Sequence, residues 1–324
     1  MRYLILGGTR FVGRHVVRAA LDEGHDVTLF TRGVTNPKLF PEAEHLQGDR
    51  ETGELASLRG REWDRVVDVS GYTPDAVEAT ARLLRDASDH YTFVSTISVY
   101  RRWNEAAEES EVLDPPPPGE REVTGDTYGP LKVACEEVVR EVFGRRALVV
   151  RPGIVVGPHD HTDRFTYWVA RVAAGGEVAA PGPPETPVQV VDGRDLAEWL
   201  VWMAMRRRPG VYNATGPDYR LTFGRLLARI NEVTGSRASL RWIPERRLPE
   251  EAASLFPLWT PASEADRFTM TVDSTRARWE GLLFRPLGET IRDTLAWHRS
   301  RGEHLRAGPD EAEERRLLAL SGSD

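Results

Sequence analysis

The chain opens on an uninterrupted apolar run, "YLIL" (3–6), with no polar alternation, the pattern of a strand buried on both faces of a parallel sheet. After "GGTR" the apolar residues recur at helical spacing through "FVGRHVVRAALDEG" (11–24), which reads as a helix stopped by Gly24. The alternation repeats. Strands are predicted at "HDVTLF" (25–30), "EHLQGD" (44–49), "DRVVDVS" (64–70), "YTFVST" (91–96) and "RALVVRPG" (146–153). Helices are predicted at "PDAVEATARLLRDA" (74–87), with a proline in its first turn, and at "YGPLKVACEEVVREVF" (128–143). Strands alternating with helices build βαβ units, and hence a parallel sheet covered on both faces.

After about residue 155 the rhythm loosens. Helices are predicted at 163–176, 221–235 and 286–300, a strand turning into a helix capped near Asp192 at 188–206, and a short strand at "GVYNATG" (210–216). Four successive prolines make 113–125 a stiff, polyproline-like loop; a second loop spans the Trp- and Pro-rich 242–268. The organisation expected is α/β: a doubly wound parallel sheet over 1–155, a smaller α/β domain over 156–302, and a charged tail over 303–324, solvated as a helix or frayed. The helix and strand at 193–214 are expected to pack on the first domain. No internal repeat is present.

Composition narrows the function classes. The 324 residues are 40% hydrophobic and 29% charged, a soluble globular balance with room for a large core. A formal net charge of −7 argues against a nucleic-acid binder. One cysteine, Cys135, excludes an internal disulfide and lies in a helical pattern, so it reads as a small buried residue. "YLIL" is too short for a signal-peptide core, and no apolar run reaches bilayer length. The expected location is the cytoplasm, with no membrane partner.

The first strand-to-helix turn carries Gly7, Gly8 and Gly13, with Thr9, Arg10, Phe11 and Val12 among them. In a dinucleotide-binding turn, glycines permit the tight bend, the approach of backbone to pyrophosphate, and the packing of helix on sheet. The pyrophosphate then lies at the positive end of the helix near Phe11. Here the middle glycine is replaced by Arg10. At the end of the second strand, where an acid usually meets the ribose of NAD, stand Thr31 and Arg32. A carboxylate would repel a 2′-phosphate and a guanidinium pairs with it, so NADP is favoured over NAD. Asp49 is placed to touch the adenine amine, or is a turn aspartate.

"TYGPLK" sets Tyr128 and Lys132 one helical turn apart on one face. A tyrosine, with a reference pKa near ~10, becomes a usable acid/base when a neighbouring cation lowers it; ~3 units require ~4 kcal/mol. The hydroxyls of "FVSTISVY" (Ser95, Thr96, Ser98) emerge at the carboxyl edge of the sheet, where open α/β sheets bind ligands.

The glycine turn, "STISVY", "YGPLK" and "RPGIVVGP" occur in the order found in extended short-chain dehydrogenases/reductases, the NAD(P)-dependent epimerase/dehydratase type. The resemblance covers roughly residues 1 to 300 and is nearest to an atypical branch bearing Gly-Gly-Thr-Arg-Phe, a branch also similar to plant chloroplast proteins credited with RNA binding. It implies a Rossmann-type fold with Thr96, Tyr128 and Lys132 as the catalytic set, and with Lys132 also holding the nicotinamide ribose. It further implies Ser70 and Gly71 near the cofactor's ribose-phosphate, Pro152 and Gly153 beside the nicotinamide, and a homodimer formed through the helices at 75–87 and 129–143.

Several positions depart from that pattern. Arg10 replaces a glycine, and Leu131 the serine before the lysine. Ile97-Ser98 stands where sugar 4,6-dehydratases carry Asp-Glu, which disfavours water elimination. Ile154 stands where nucleotide-sugar enzymes often show asparagine. The substrate contacts expected are Tyr100, His159, His161, Arg164, Tyr167 and Trp168, the last two being core residues in the alternative reading of their helix, with Trp242 and Trp259 as candidate pocket walls. His159-x-His161 lacks a partner set of ligands, so no metal is expected. Two functions compete: an oxidoreductase or epimerase acting on an alcohol or ketone of a small polar, sugar-like or natural-product molecule, and a non-catalytic dinucleotide-sensing or RNA-associated protein of the same fold.

Overall fold

The computed structural model describes residues 1–102, 112–261 and 270–321; residues 262–268 of the second predicted loop and 322–324 of the tail lie outside the described residues. The first half runs β1 (Arg2–Leu6), α1 (Phe11–Asp22), β2 (Asp26–Thr31), β3 (Glu44–Gln47), β4 (Arg65–Asp68), α2 (Pro74–Leu84), β5 (Tyr91–Val94), α3 (Tyr128–Phe143) and β6 (Ala147–Pro152). There follow β7 (Ile154–Val156), α4 (Arg164–Ala173), β8 (Glu177–Pro181), β9 (Val190–Asp192), α5 (Gly193–Met205), β10 (Gly210–Ala214), α6 (Phe223–Thr234) and β11 (Ser239–Ile243). The chain ends with α7 (Ala252–Leu255), α8 (Thr275–Trp279), α9 (Leu287–Arg301) and α10 (Glu311–Ala319).

Seven strands form one sheet in the order β10-β6-β5-β4-β1-β2-β3, every neighbouring pair parallel. Every residue of β4, β5 and β6 is buried, as a sheet covered on both faces requires. One apolar cluster joins Val16 and Val17 of α1 to Trp199 and Leu200 of α5 on one face. Another joins Val77 and Leu84 of α2 to Cys135 and Val139 of α3 on the other. Strand β10 adds itself beside β6, Tyr212 opposite Val150, so 210–214 belong to the large sheet.

A third cluster surrounds Phe165, Trp168, Phe223 and Phe256 and holds two small parallel pairs nearby, β7 with β9 and β8 with β11. Sequence periodicity carried the helix of 163–176 too far. Gly175 and Gly176 adopt φ of 77° and 72°, which ends α4 and releases "EVAAP" to form β8. The charged tail is docked rather than frayed. Asp310 and Glu313 form a reciprocal cap on α10, Leu317 enters the third cluster, and the buried Glu314 accepts from Arg171 Nε (2.6 Å) and Ala179 N (3.2 Å).

Fully buried His90, whose Nε2 lies 3.1 Å from the Arg208 carbonyl, has its pKa pulled down by burial to about 4. An unfolded histidine titrates near ~6.5, so the unfolded chain binds more protons than the folded one between pH 6.5 and about 4. This contribution is present above 6.5 and is lost as pH falls through the window, by up to about 3 kcal/mol. Denaturant midpoints of His90→Gln should therefore fall less steeply than wild type across that range; parallel curves would contradict it.

Candidate active site

The order of the sheet reverses between β1 and β4, and a cleft of about 570 Å³ opens there at the carboxyl ends of the strands. Its floor is the glycine turn. Gly7 and Gly8 adopt φ of 103° and 104°, conformations that side chains rarely take. A Cβ on Gly13 would lie 2.8 Å from Gly8 N, so the third glycine lets α1 pack onto the turn. Arg10 occupies ordinary extended backbone (φ −138°, ψ 139°), so its position imposes no need for glycine. No side chain caps the start of α1 and no acid sits in its first turn, leaving its amide N–H groups facing the cleft for an anion. Thr9, Arg10, Phe11 and Val12 all line the cleft. These features fit the pyrophosphate of a dinucleotide.

Thr31, Arg32, Asp49 and Ser70 line one end. Arg10 and Arg32 are exposed and make no ion pair with a described residue. Asp49 Oδ1 accepts from Glu51 N at 3.0 Å, a turn role that leaves its other oxygen free. Sequence reasoning missed Arg50 beside it. Arg50 Nη1 and Nη2 grip both oxygens of buried Asp68 at 2.9 and 2.8 Å, and Ser70 N and Tyr91 OH donate to the same carboxylate. Eighteen residues separate Arg50 from Asp68, and no spacing rule joins them. Gly71 does not line the cleft. It packs beneath, where a Cβ would meet Phe93, Val77 and Arg50 within 2.9 Å.

At the other end Thr96, Tyr128, Lys132, Pro152 and Gly153 meet. Helix α3 begins at Tyr128, which sets the phenol and Lys132 on one face. Lys132 is buried. Its Nζ donates to the carbonyls of Gly71 (2.7 Å) and Val94 (2.8 Å), lies 4.1 Å from the Phe93 ring centre, and is pulled down to about 8 by burial. Tyr128 is pushed up to about 12, chiefly by burial, with a hydrogen bond to Thr96 and the charge of Arg164 acting the other way. The spacing pointed to Lys132 as the charge that lowers the phenol; here its ammonium is committed to two carbonyls, and desolvation of the phenol dominates. Thr96 Oγ1 accepts from Ser98 N and donates to Ser98 Oγ, both at 3.1 Å.

Of the expected substrate contacts, His161 and Arg164 line the cleft, and Thr162 between them was missed. Four do not. Tyr100 is buried, its hydroxyl donating to Asn213 Oδ1 (2.8 Å) and accepting from Arg151 Nη1 (2.8 Å). Trp168 is fully buried on the apolar side of α4, its Nε1 donating to the Pro257 carbonyl. Tyr167 is buried against Trp168 and Gly308, where a Cβ would overlap its ring. His159 has a left-handed backbone (φ 71°), and its ring lies by His15 and Trp297 beside a separate hollow with Arg14 and Lys38. Trp259 and partly buried Trp242 belong to the third core rather than to the cleft wall. Among the described residues no group of three or more His, Cys, Asp or Glu is arranged to hold a metal, and no helix is long and apolar enough to cross a membrane.

A seven-stranded parallel sheet with a glycine turn at its switch point is the architecture of the Rossmann-type dinucleotide-binding folds. The chain belongs to the NAD dependent epimerase/dehydratase family, whose model matches residues 3–83 and 71–215. The chain is 27% identical over 235 residues to chloroplast stem-loop binding protein of 41 kDa b from Arabidopsis thaliana; the match takes in 67% of this chain and 59% of that protein's length. It is 26% identical over 262 residues to isoflavone reductase homolog IRL of Zea mays, 75% of this chain and 78% of the relative. Its fold matches UDP-glucose 4-epimerase of Thermotoga maritima at TM-score 0.64 and 19% identity, over 94% of this chain and 100% of the other. UDP-glucuronic acid 4-epimerase of Bacillus cereus, solved with NAD, matches at TM-score 0.69 and 15% identity, over 94% and 100%.

Proposed function

We propose that the chain is a NAD(P)-dependent oxidoreductase or epimerase acting at a secondary alcohol or ketone of a small polar molecule, with Tyr128 as the acid/base. The observation that carries this reading is the convergence of Thr96, Tyr128 and Lys132 in the cleft that also holds the glycine turn. A bound dinucleotide supplies hydride exchange at C4 of its nicotinamide. Tyr128, held protonated at neutral pH by burial, donates its proton to the substrate oxygen in the reducing direction and takes one back in the oxidising direction. The Thr96 hydroxyl, which donates to Ser98 Oγ in the free cleft, turns its proton to the same oxygen and orients it. Lys132 has three N–H donors; two are spent on Gly71 and Val94, and the third is left for a ribose hydroxyl. Pro152 and Gly153 border the nicotinamide pocket, and Asp49 receives the adenine amine. Ile97-Ser98 offers no acid pair for eliminating water, so 4,6-dehydration is disfavoured.

The phosphorylated cofactor is the better fit. Thr31 leaves no carboxylate to repel a 2′-phosphate, and Arg32 and Arg10 present guanidiniums without an ion-pair partner among the described residues. Arg32→Ala should weaken NADP about tenfold or more and leave NAD nearly unchanged, read by calorimetric titration; equal effects on both would contradict the assignment. The chain is also proposed to pair as a homodimer through α2 and α3, and a monomer mass by light scattering would remove that proposal. An RNA-associated role is the competing reading, supported by the similarity to the Arabidopsis stem-loop binding protein and opposed by the net charge of −7. RNA affinity rising steeply as salt falls would favour it.

A further inference from the structure

We propose that Arg164 is a substrate-specificity residue, its guanidinium binding an anionic group, carboxylate or phosphate, on the molecule whose reacting carbon faces Tyr128. This rests on the oxidoreductase reading above and names the substrate class of the same cleft.

Charge balance is the first support. The carboxylates lining the cleft, among the described residues, are Asp49 and Glu51, both following β3 at the adenosine end. Glu51 is already bonded by Thr73 Oγ1 at 2.9 Å. The substrate end carries Arg164 and Lys132 and no carboxylate. Of the two cations, Lys132 is buried and spent on carbonyls, whereas Arg164 is exposed to the cleft. The charge of Arg164 is felt by Asp160, buried behind Thr162, but no carboxylate lines this end among the described residues, and a cationic cleft wall favours an anionic ligand.

The second support is how Arg164 is held. Its Nε donates to Thr162 Oγ1 at 3.2 Å. Thr162 is fixed in turn by fully buried Asp160, whose Oδ1 accepts from Thr162 Oγ1 (2.7 Å) and Thr162 N (2.9 Å). The stem of the fork is anchored, and both terminal nitrogens are left without a protein acceptor among the described residues. Arg50, Arg151, Arg171, Arg194 and Arg301 are instead each closed by a carboxylate. An anchored fork with two free N–H edges matches the geometry of a carboxylate or phosphate. Arg164 and Tyr128 line the same cleft, and the charge of Arg164 eases ionisation of the phenol.

The test is calorimetric titration of inorganic phosphate and of malonate into dinucleotide-saturated protein. Wild type should bind at least one anion, and which one distinguishes a phosphoryl from a carboxylate group. Arg164→Gln should weaken that binding about tenfold or more, and Arg164→Lys should restore part of it. The affinity for the dinucleotide should be the same in wild type and Arg164→Gln. Anion affinity equal in wild type and Arg164→Gln, or no binding of either anion to wild type up to ~0.1 M, overturns the proposal. Failure of wild type to bind any dinucleotide overturns the reading beneath it instead. Because Arg164 is exposed, the variants are expected to fold, with melting curves superimposed on wild type.

Discussion

Tyr128→Phe should lower turnover by about 10²- to 10⁴-fold while leaving dinucleotide affinity unchanged. The substitution removes one oxygen, and with it the proton delivered to or taken from the substrate. The ring, which starts α3 and closes one side of the cleft, stays in place. The direction of reaction adds a second signature. With the phenol pushed up to about 12, the protonated form dominates at neutral pH, so reduction is served there and oxidation should speed up as pH rises. The Thr96 hydroxyl and the Arg164 charge favour the phenolate, so Arg164→Gln should move the oxidative pH profile upward. Turnover by Tyr128→Phe at the wild-type rate would remove this residue from the chemistry.

Glu136→Gln should cost about 3–5 kcal/mol of folding stability, measured by denaturant unfolding. Glu136 and Arg151 are both nearly fully buried, joined by Nε–Oε1 at 3.0 Å and Nη2–Oε2 at 2.6 Å. Ser95 Oγ donates to Glu136 Oε1 at 2.5 Å, and the chain of bonds continues from Arg151 through Tyr100 to Asn213. One network thus ties the end of β5 to α3, β6 and β10, directly beneath the cleft. Neutralising Glu136 leaves the Arg151 guanidinium buried without a counter-charge, and that orphaned charge is the source of the loss. Replacing both partners with apolar residues, Glu136→Leu with Arg151→Met, should recover most of it. A loss under ~1 kcal/mol for the single variant would mean that solvent reaches Arg151.

The parts legible in the sequence are those governed by local pattern. Apolar runs marked the strands of the large sheet, and the glycine turn and "TYGPLK" marked the two ends of the cleft, because each depends on residues a few positions apart. What escaped depends on distance along the chain. The Arg50–Asp68 grip, the Glu136–Arg151 pair and the commitment of Lys132 to Gly71 and Val94 join residues 15 to 61 positions apart. No period encodes such pairs. At Tyr167 and Trp168 two local signals competed. Their stretch follows the sixth strand towards the cleft, which suggested substrate contacts, while their helical spacing left a core role open, and the core of the smaller domain is where both lie. In β8 the strand is short and the deciding signal was two glycines, Gly175 and Gly176, that the helical pattern ran through.

The most direct test of the cleft as a dinucleotide site is calorimetric titration of NADP and NAD into protein stripped of bound nucleotide. One dinucleotide per chain, with NADP the tighter, is the predicted result. No binding of either up to ~1 mM would contradict the assignment of the glycine turn and everything built on it.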